Sequence, residues 1–199
     1  HDYASAIKTF NFLVRKSNNE ELRSEALIWA TRCHQELNNK EALRKNIRIL
    51  EEEHDLSIMQ DAALSQIQAE SSIQEGYYIE AKEYLNKAIN KEKNKNRKIR
   101  MHYILGQLSL ILNDHQRALE NFNKVIKANT EYEMVFNAKL MRTRTHVEDN
   151  ITFLELSESL KKMIRDRKNS EYKDQIYFAL GELQLKQLDT IASIKSLRL

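Results

Sequence analysis

Proline is absent from this chain of 199 residues, and glycine occurs three times, at Gly76, Gly106 and Gly181. Sheets and tight turns use both residues heavily, so the scarcity points to long helices joined by short polar turns. Cysteine is almost missing. Cys33 stands alone, which excludes an intramolecular disulfide and says nothing firm about compartment. No apolar run approaches the ~20 residues that a membrane-spanning helix needs. No signal peptide or lipidation motif is visible. A charge excess of one sign is also lacking: 32 basic side chains against 29 acidic ones leave +3, which does not by itself call for nucleic acid. What remains is 41% hydrophobic and 31% charged, a composition that can bury a core. The chain opens inside one helical pattern (DYASAIKTFNFLV) and stops inside another (DTIASIKSLRL), so the expectation is a longer native protein, continuing in both directions.

Catalytic signatures are missing as well. The three glycines are isolated, so there is no Gly-rich phosphate loop, and no GxSxG elbow occurs. His1, His34, His54, His102, His115 and His146 form no i, i+4 pair with another His, Cys or carboxylate, as a helical metal site would require. Cys33 and His34 are adjacent, but neighbours on a helix point about 100° apart, so the imidazole is not placed to activate the thiol. A core cysteine beside an exposed histidine is expected, with no catalysis, cofactor or metal. Lys91, Lys93, Lys95, Arg97, Lys98 and Arg100 form a basic run broken by Glu92. Asn94, Asn96 and the lack of nearby stacking aromatics favour a solvated connection over a nucleic-acid surface, and an acidic protein surface stays open as a partner. Tyr77, Tyr78, Tyr84, Tyr103, Tyr132, Tyr172 and Tyr177 are expected mostly in the core, since aromatics at helical spacing usually pack.

A repeat organises the rest. A small residue is followed four places later by a second marker at Ala6 and Phe10, Ala42 and Asn46, Ala81 and Leu85, Ala118 and Phe122, and more weakly Ser193 and Leu197. The first four small residues step by 36, 39 and 37 positions, and a degenerate unit near Leu156 and Leu160 fills the longer gap before Ser193. Twelve residues before the small residue stands a second one: Ala30, Ala69, Gly106 and Gly181. Two antiparallel helices cross closely only where side chains are small. The Gly or Ala of a unit's first helix (A) is therefore expected to face the Ala of its second (B), with the bulky residue filling space toward the next unit. Asn46 and the fifth unit depart from the pattern, so looser packing or a shifted register is expected there.

The coarse reading is eleven helices, near 3–16, 20–37, 39–53, 56–75, 78–90, 96–112, 115–128, 131–148, 152–167, 171–187 and 190–199. Asn38-Asn39 and Asn113-Asp114 supply turns. No linker divides the array, so residues 1–199 are expected to form one domain.

Leu105-Gly106, Leu180-Gly181 and the turn at Gly76-Tyr77-Tyr78 resemble the tetratricopeptide pattern along the whole chain. The resemblance implies an all-α, right-handed solenoid of antiparallel helix pairs, about five to six repeats, with A helices lining a concave groove and B helices outside. It places groove-facing side chains three residues before the glycine place, one after it and four after it. These are Gln66, Glu70 and Ile73, then Tyr103, Gln107 and Leu110, then Phe178, Glu182 and Leu185. Such a mixture can hold an extended peptide or a helix. It lacks the basic clamp that chaperone adaptors of the superfamily use for a peptide carboxylate.

Three stretches are similar to something narrower: 92–108 (EKNKNRKIRMHYILGQL), 129–140 (NTEYEMVFNAKL) and 168–190 (KNSEYKDQIYFALGELQLKQLDT), with ALIWATRCHQELNN at 26–39. They resemble the repeat lipoproteins of the type IX secretion and gliding-motility apparatus (the SprE/PorW kind). That resemblance implies a non-catalytic scaffold on the periplasmic face of the outer membrane, coupling the ring complex to the translocon. Its partners would be proteins, not nucleic acid, and its only membrane contact a lipid anchor upstream of residue 1, because Cys33 lies within a helix. The alternative is a cytoplasmic regulator whose repeats bind a peptide or gate an attached DNA-binding or kinase domain.

Overall fold

The structure is a computed structural model and describes residues 2–52, 56–128, 130–145 and 150–198. It is all-α, and no strand occurs among the described residues. The helices are α1 (Tyr3–Lys16), α2 (Glu20–Glu36), α3 (Lys40–Glu52), α4 (Ile58–Glu75), α5 (Tyr78–Lys91), α6 (Lys95–Ile111), α7 (His115–Ala128), α8 (Tyr132–Arg142), α9 (Asn150–Arg165), α10 (Lys173–Lys186) and α11 (Thr190–Leu197). A 3₁₀ segment, Arg167–Tyr172, leads into α10. The chain divides into two compact units, His1–Lys98 and Ile99–Leu199, with the boundary inside α6.

Helix starts follow from side-chain caps. Asp2, Asn19 and Asp189 each accept the backbone N–H three residues on, at 3.0, 3.1 and 3.0 Å. Ser57 and Gln60 form a reciprocal capping box on α4. The A-to-B turns share one design. Asn38, Gly76, Asn113 and Leu188 adopt left-handed backbone, with φ of 52°, 82°, 56° and 60°. The next N–H in each case reaches back to a carbonyl in the last turn of the preceding helix: Asn39 to His34, Tyr77 to Ser72, Asp114 to Ser109 and Asp189 to Gln184, at 2.8 to 3.1 Å. This satisfies carbonyls the helix end would otherwise orphan. Four turns with one hydrogen-bond pattern are the repeat seen in the backbone.

The crossings add the bulky residue to the expected pairing of small residues. Gly106 lies under the ring of Phe122, since a Cβ built there would fall 2.7 Å from Phe122 Cε1. Gly181 lies under Leu197 in the same way, and Ser193 Oγ donates to the Gly181 carbonyl at 2.9 Å. The glycine of helix A thus receives the bulky residue of its own helix B, one turn beyond the small one, in addition to the small residue itself. Ala69, Ala81, Leu85 and Ala118 are buried.

Two departures in the repeat show a physical cause. On α3 the buried residues are Leu43, Asn46 and Leu50, while Ala42 is half-exposed. The register is therefore shifted by one residue: Leu43 takes the inward place, and twelve residues earlier Thr31, fully buried, takes the place expected for Ala30. Ala30 is buried too, so both positions satisfy a search for small inward residues. In the fifth pair, α8 ends at Arg142, short of the expected 148, and positions 146–148 lie outside the described residues. Twelve residues before Leu156 stands Arg144, in the turn after α8, so the twelve-residue pairing of small residues does not occur there. The pair packs instead through a large cluster in which Phe136, Leu156, Leu160, Met163, Ile176, Ala179, Leu180 and Leu183 are buried together.

None of the seven tyrosines expected mostly in the core is fully buried: Tyr78, Tyr84, Tyr103, Tyr172 and Tyr177 are half-buried, and two are exposed. Tyr77 follows the left-handed Gly76 and is exposed. Tyr132 is exposed at the start of α8, where its hydroxyl donates to Asn169 Oδ1 and its ring stacks on Phe136 at 6.2 Å.

Candidate functional site

In the unit Ile99–Leu199, α8 and α10 lie side by side and leave a cleft of about 430 Å³ between them. Asn137, Leu140, Met141 and Arg144 line one wall; Asp174, Gln175, Phe178, Ala179 and Glu182 line the other. Helical spacing puts Asp174, Phe178 and Glu182 on one stripe, while Ile176, Ala179, Leu180 and Leu183 turn inward to the core. Phe178 is left 51% exposed, an aromatic ring on a cleft wall and not in the core. Arg144 and Glu182 face each other at 3.8 Å across the cleft.

Lys186 holds this cleft in shape. Its ammonium donates to the carbonyls of Thr143, Arg144 and Thr145 at 3.1, 2.9 and 3.3 Å. A cation over the last carbonyls of a helix complements the negative end of its dipole. Burial lowers the Lys186 pKa, with Glu182 opposing that shift. The hydroxyls of Thr143 and Thr145 bond back to Leu140 and Arg142, so the turn that carries Arg144 is tied from both sides. The opposite face of α8 borders a second cleft of about 420 Å³, where Lys139, Lys162 and Asp166 surround Phe136 and Tyr132.

The other groove candidates of this unit sit on α6. Tyr103 is half-buried, its ring edge-on to Phe122 at 6.0 Å, and burial raises its phenol pKa. Gln107 and Leu110 are half-exposed, and Tyr103 and Leu110 both pack against the cluster of Ile99, Ala118, Phe122, Val125 and Ala138. Leu185 is exposed one turn beyond Glu182.

In the unit His1–Lys98, the candidates Gln66 and Glu70 bond to each other, Gln66 Nε2 donating to Glu70 at 3.0 Å, and Ile73 is half-exposed on the next turn. Gln66 Oε1 also accepts from Arg32 at 3.3 Å. Arg32 is not among the groove residues that the resemblance implies. Once α2 is read in its shifted register, with Thr31 at the glycine place, Arg32 stands one residue after it, the position that Glu70, Gln107 and Glu182 hold in their helices. The left-handed turn at Asn38, seven residues after Thr31 as Gly76 is seven after Ala69, is the signal that identifies this register.

Among the described residues the thiol and the imidazoles are mostly drawn into packing. Cys33 is buried, and burial, reinforced by Glu36, pushes its thiol pKa up, the reverse of what activates a nucleophile. His34 is half-buried instead of exposed, and burial lowers its pKa. His102 is buried, with Nδ1 2.8 Å from Asn121 Oδ1. His115 opens α7. His1, His54 and His146 lie outside the described residues. Among the described residues no group of three His, Cys, Asp or Glu is placed to hold a metal ion, and no helix is long and apolar enough to cross a membrane. The basic run is partly consumed locally: Lys91 pairs with Asp61, Lys87 approaches it at 3.4 Å, and Asn94 caps the backbone N–H of Arg97 at 3.1 Å.

The spacing of Gly106, Ala118 and Phe122, with the left-handed turn at Asn113 between them, marks the most regular unit of the array. Residues 99–132 match the model of the tetratricopeptide repeat. No curated protein matches the sequence. Among solved structures the chain is similar to "MamA MSR-1 C2", with a TM-score of 0.61 and 15% identity, over 89% of this chain and 94% of that one. At that identity the likeness is one of fold alone, an all-α helical repeat.

Proposed function

We propose that this chain is a non-catalytic scaffold that binds other proteins through the exposed faces of its A-type helices. The observation that carries the reading is the α8/α10 cleft, which places a half-exposed phenylalanine between an Arg144–Glu182 pair and an apolar wall of Leu140 and Met141. An aromatic anchor with charged groups at its edge suits a peptide or a partner helix. The tetratricopeptide repeat at 99–132 supports the same reading, because each repeat adds a few side chains to one extended surface.

The finer proposal is a periplasm-facing outer-membrane lipoprotein of the type IX secretion and gliding machinery, bridging ring complex and translocon. It rests on the resemblance of 26–39, 92–108, 129–140 and 168–190 alone. Purified ring and translocon components, tested for capture by this chain, examine both levels. Phe178→Ala is expected to weaken capture about tenfold or more while stability stays within about 0.5 kcal/mol, as for an exposed anchor. Tyr103→Ala is expected to lower the melting temperature as well, because its ring packs on Phe122. Capture unchanged by Phe178→Ala removes the α8/α10 cleft from the function. A full-length gene without an upstream lipobox cysteine, carrying a DNA-binding or kinase domain, replaces the lipoprotein reading with the cytoplasmic regulator.

A further inference from the structure

The unit His1–Lys98 contains a cleft of different chemistry. It lies between α2 and α4 and is lined by Glu21, Glu25, Trp29 and Arg32 on α2, Met59 and Ala63 on α4, and Arg97 at the start of α6. Gln60 Nε2 donates to the Glu21 carbonyl at 2.9 Å and fixes α4 against α2. Trp29, the chain's one tryptophan, is 42% exposed on this cleft, with Phe10 stacked on it at 6.5 Å and the Arg32 guanidinium 5.3 Å from its ring centre.

Arg32 is the unusual group. It is half-buried, and its one side-chain hydrogen bond is the 3.3 Å contact to the neutral amide oxygen of Gln66. Among the described residues no carboxylate lies within ion-pair distance of it. The two acids whose charge acts on Arg32 are engaged elsewhere: Glu70 accepts from Gln66, and buried Glu92 accepts the Asn94 N–H at 2.7 Å. Burial lowers the Arg32 pKa; Glu70 opposes this, while the positive charge of Arg97 adds to it. A guanidinium partly withdrawn from water without a bound anion costs free energy, and a second cation on the same cleft raises that cost. Arg presents several donors in a planar fork suited to a carboxylate. The Trp29 and Met59 side chains beside it offer exposed apolar surface. Glu21 and Glu25 precede Trp29 on α2, so the cleft is acidic at one end and basic at the other, with Glu25 and Arg32 about 10 Å apart along the helix axis.

We infer that this cleft binds an internal acidic side chain of a partner peptide, its carboxylate bridging Arg32 and Arg97 while the adjoining apolar or aromatic residue lies on Trp29 and Met59. This deepens the scaffold reading and rests on it. The carboxylate supplies the missing counterion, and the acidic end of the cleft sets peptide direction by repelling a second carboxylate.

Trp29 emission reports binding directly. The probes are acetylated, amidated nine-residue peptides with a central Glu followed by Phe or Leu in a Ser/Gly context, each with a Gln counterpart. The Glu peptides are expected to shift Trp29 emission saturably and to bind at least tenfold more tightly than the Gln peptides. Arg32→Gln and Arg97→Gln should each reduce that preference fivefold or more, and Phe178→Ala should leave it unchanged. A stability measurement guards the variants. Arg32→Met should melt no lower than wild type, because it removes a half-buried charge that lacks an ion-pair partner and keeps the apolar stem. A melting temperature lowered beyond about 4 °C, the scale of 1 kcal/mol in a chain this size, makes Arg32 a structural residue and overturns the inference. Equal binding of Glu and Gln peptides, no response up to about 1 mM, or a preference that survives both arginine changes overturns it too. Loss of this preference alone leaves the scaffold reading intact, since the α8/α10 cleft is tested through Phe178.

Discussion

In the pair α6/α7 the glycine at the crossing, Gly106, lies under Phe122, a ring with no exposed surface. In α10/α11 its counterpart Gly181 lies under Leu197, which keeps 51% of its surface in water. The backbone turns of the two pairs are alike, with the left-handed residue seven places after each glycine. The crossing is therefore set by the pair's own residues, while the energy stored in it depends on what else encloses the bulky side chain. Phe122 is enclosed by Ile99, Val125 and Ala138 as well as by its own glycine. One local geometry serves in both places with very different burial behind it.

The largest expected effect breaks the two pairs apart. Phe122→Ala should cost about 3–5 kcal/mol, the range for truncating a fully buried aromatic. Leu197→Ala, at the same repeat position but half in water, should cost less than about 1 kcal/mol from lost apolar burial. Urea unfolding of the two variants measures the difference directly. Equal losses would mean that Leu197 is enclosed in solution and that the contrast drawn here is wrong.

A subtler pair asks whether the space over each glycine can yield. Gly106→Ala places a methyl 2.7 Å from Phe122 Cε1, and the ring cannot retreat from a filled core. Overpacking of that kind should cost about 1–3 kcal/mol, against the gain of about 1 kcal/mol that Ala brings to a helix interior. Gly181→Ala meets Leu197 Cδ2 and Cγ at 2.8 Å, atoms of a side chain that can swing toward water. There the helix gain should show, leaving the variant as stable as wild type or slightly more so. Ala118→Leu, beneath the same buried cluster as Phe122, should follow Gly106→Ala with a loss of about 1–3 kcal/mol.

Much of this architecture is legible in the residues because its markers are local. The spacing from Gly106 to Ala118 and the polar turn at Asn113-Asp114 place α6 and α7 within a residue of their observed limits. The register of α2 is not legible in the same way. Ala30 and Ala42 are small and twelve apart, so they mimic the crossing pair that the structure builds from Thr31 and Leu43. That one-residue error hides Arg32, and with it the basic end of the α2/α4 cleft. The early end of α8 is hidden for another reason. It coincides with Lys186, more than forty residues away, reaching the carbonyls of 143–145, a tertiary contact that no local pattern announces. Of the groove candidates, Phe178 and Glu182 fall on one cleft because α10 keeps the repeat register, whereas Tyr103 is drawn half into the core by Phe122.

Lys186 sharpens the comparison from the other side of α10. Lys186→Met keeps the aliphatic stem and removes the ammonium from the end of α8. A loss of about 1 kcal/mol is expected, in the range for a cation at a partly buried helix C-terminus. Hydrogen exchange at the amides of 143–145 should quicken more than exchange in α6 or α7. Uniform change across the unit would show that Lys186 contributes generally and does not lock this turn.

The smallest effect concerns the turns themselves. Leu188 holds φ of 60° at the place where α6/α7 has Asn113 and α4/α5 has Gly76. A left-handed conformation costs an ordinary L-residue roughly 1–2 kcal/mol, and asparagine tolerates it far better. Leu188 is 87% exposed, so its side chain returns little packing for that strain. Leu188→Asn should therefore stabilise by about 0.5 kcal/mol or somewhat more, once the reduced relief of a non-glycine residue is allowed for. The reciprocal change, Asn113→Leu, should destabilise by a similar amount, because it installs the same strain at a turn that is now free of it. Thermal melts of the two single variants and the double swap decide the matter. Opposite shifts that cancel in the double variant confirm that the two turns share one geometry. A loss of stability in Leu188→Asn would show that the leucine side chain is covered in solution and that the end of α10 is less open than its 87% exposure indicates.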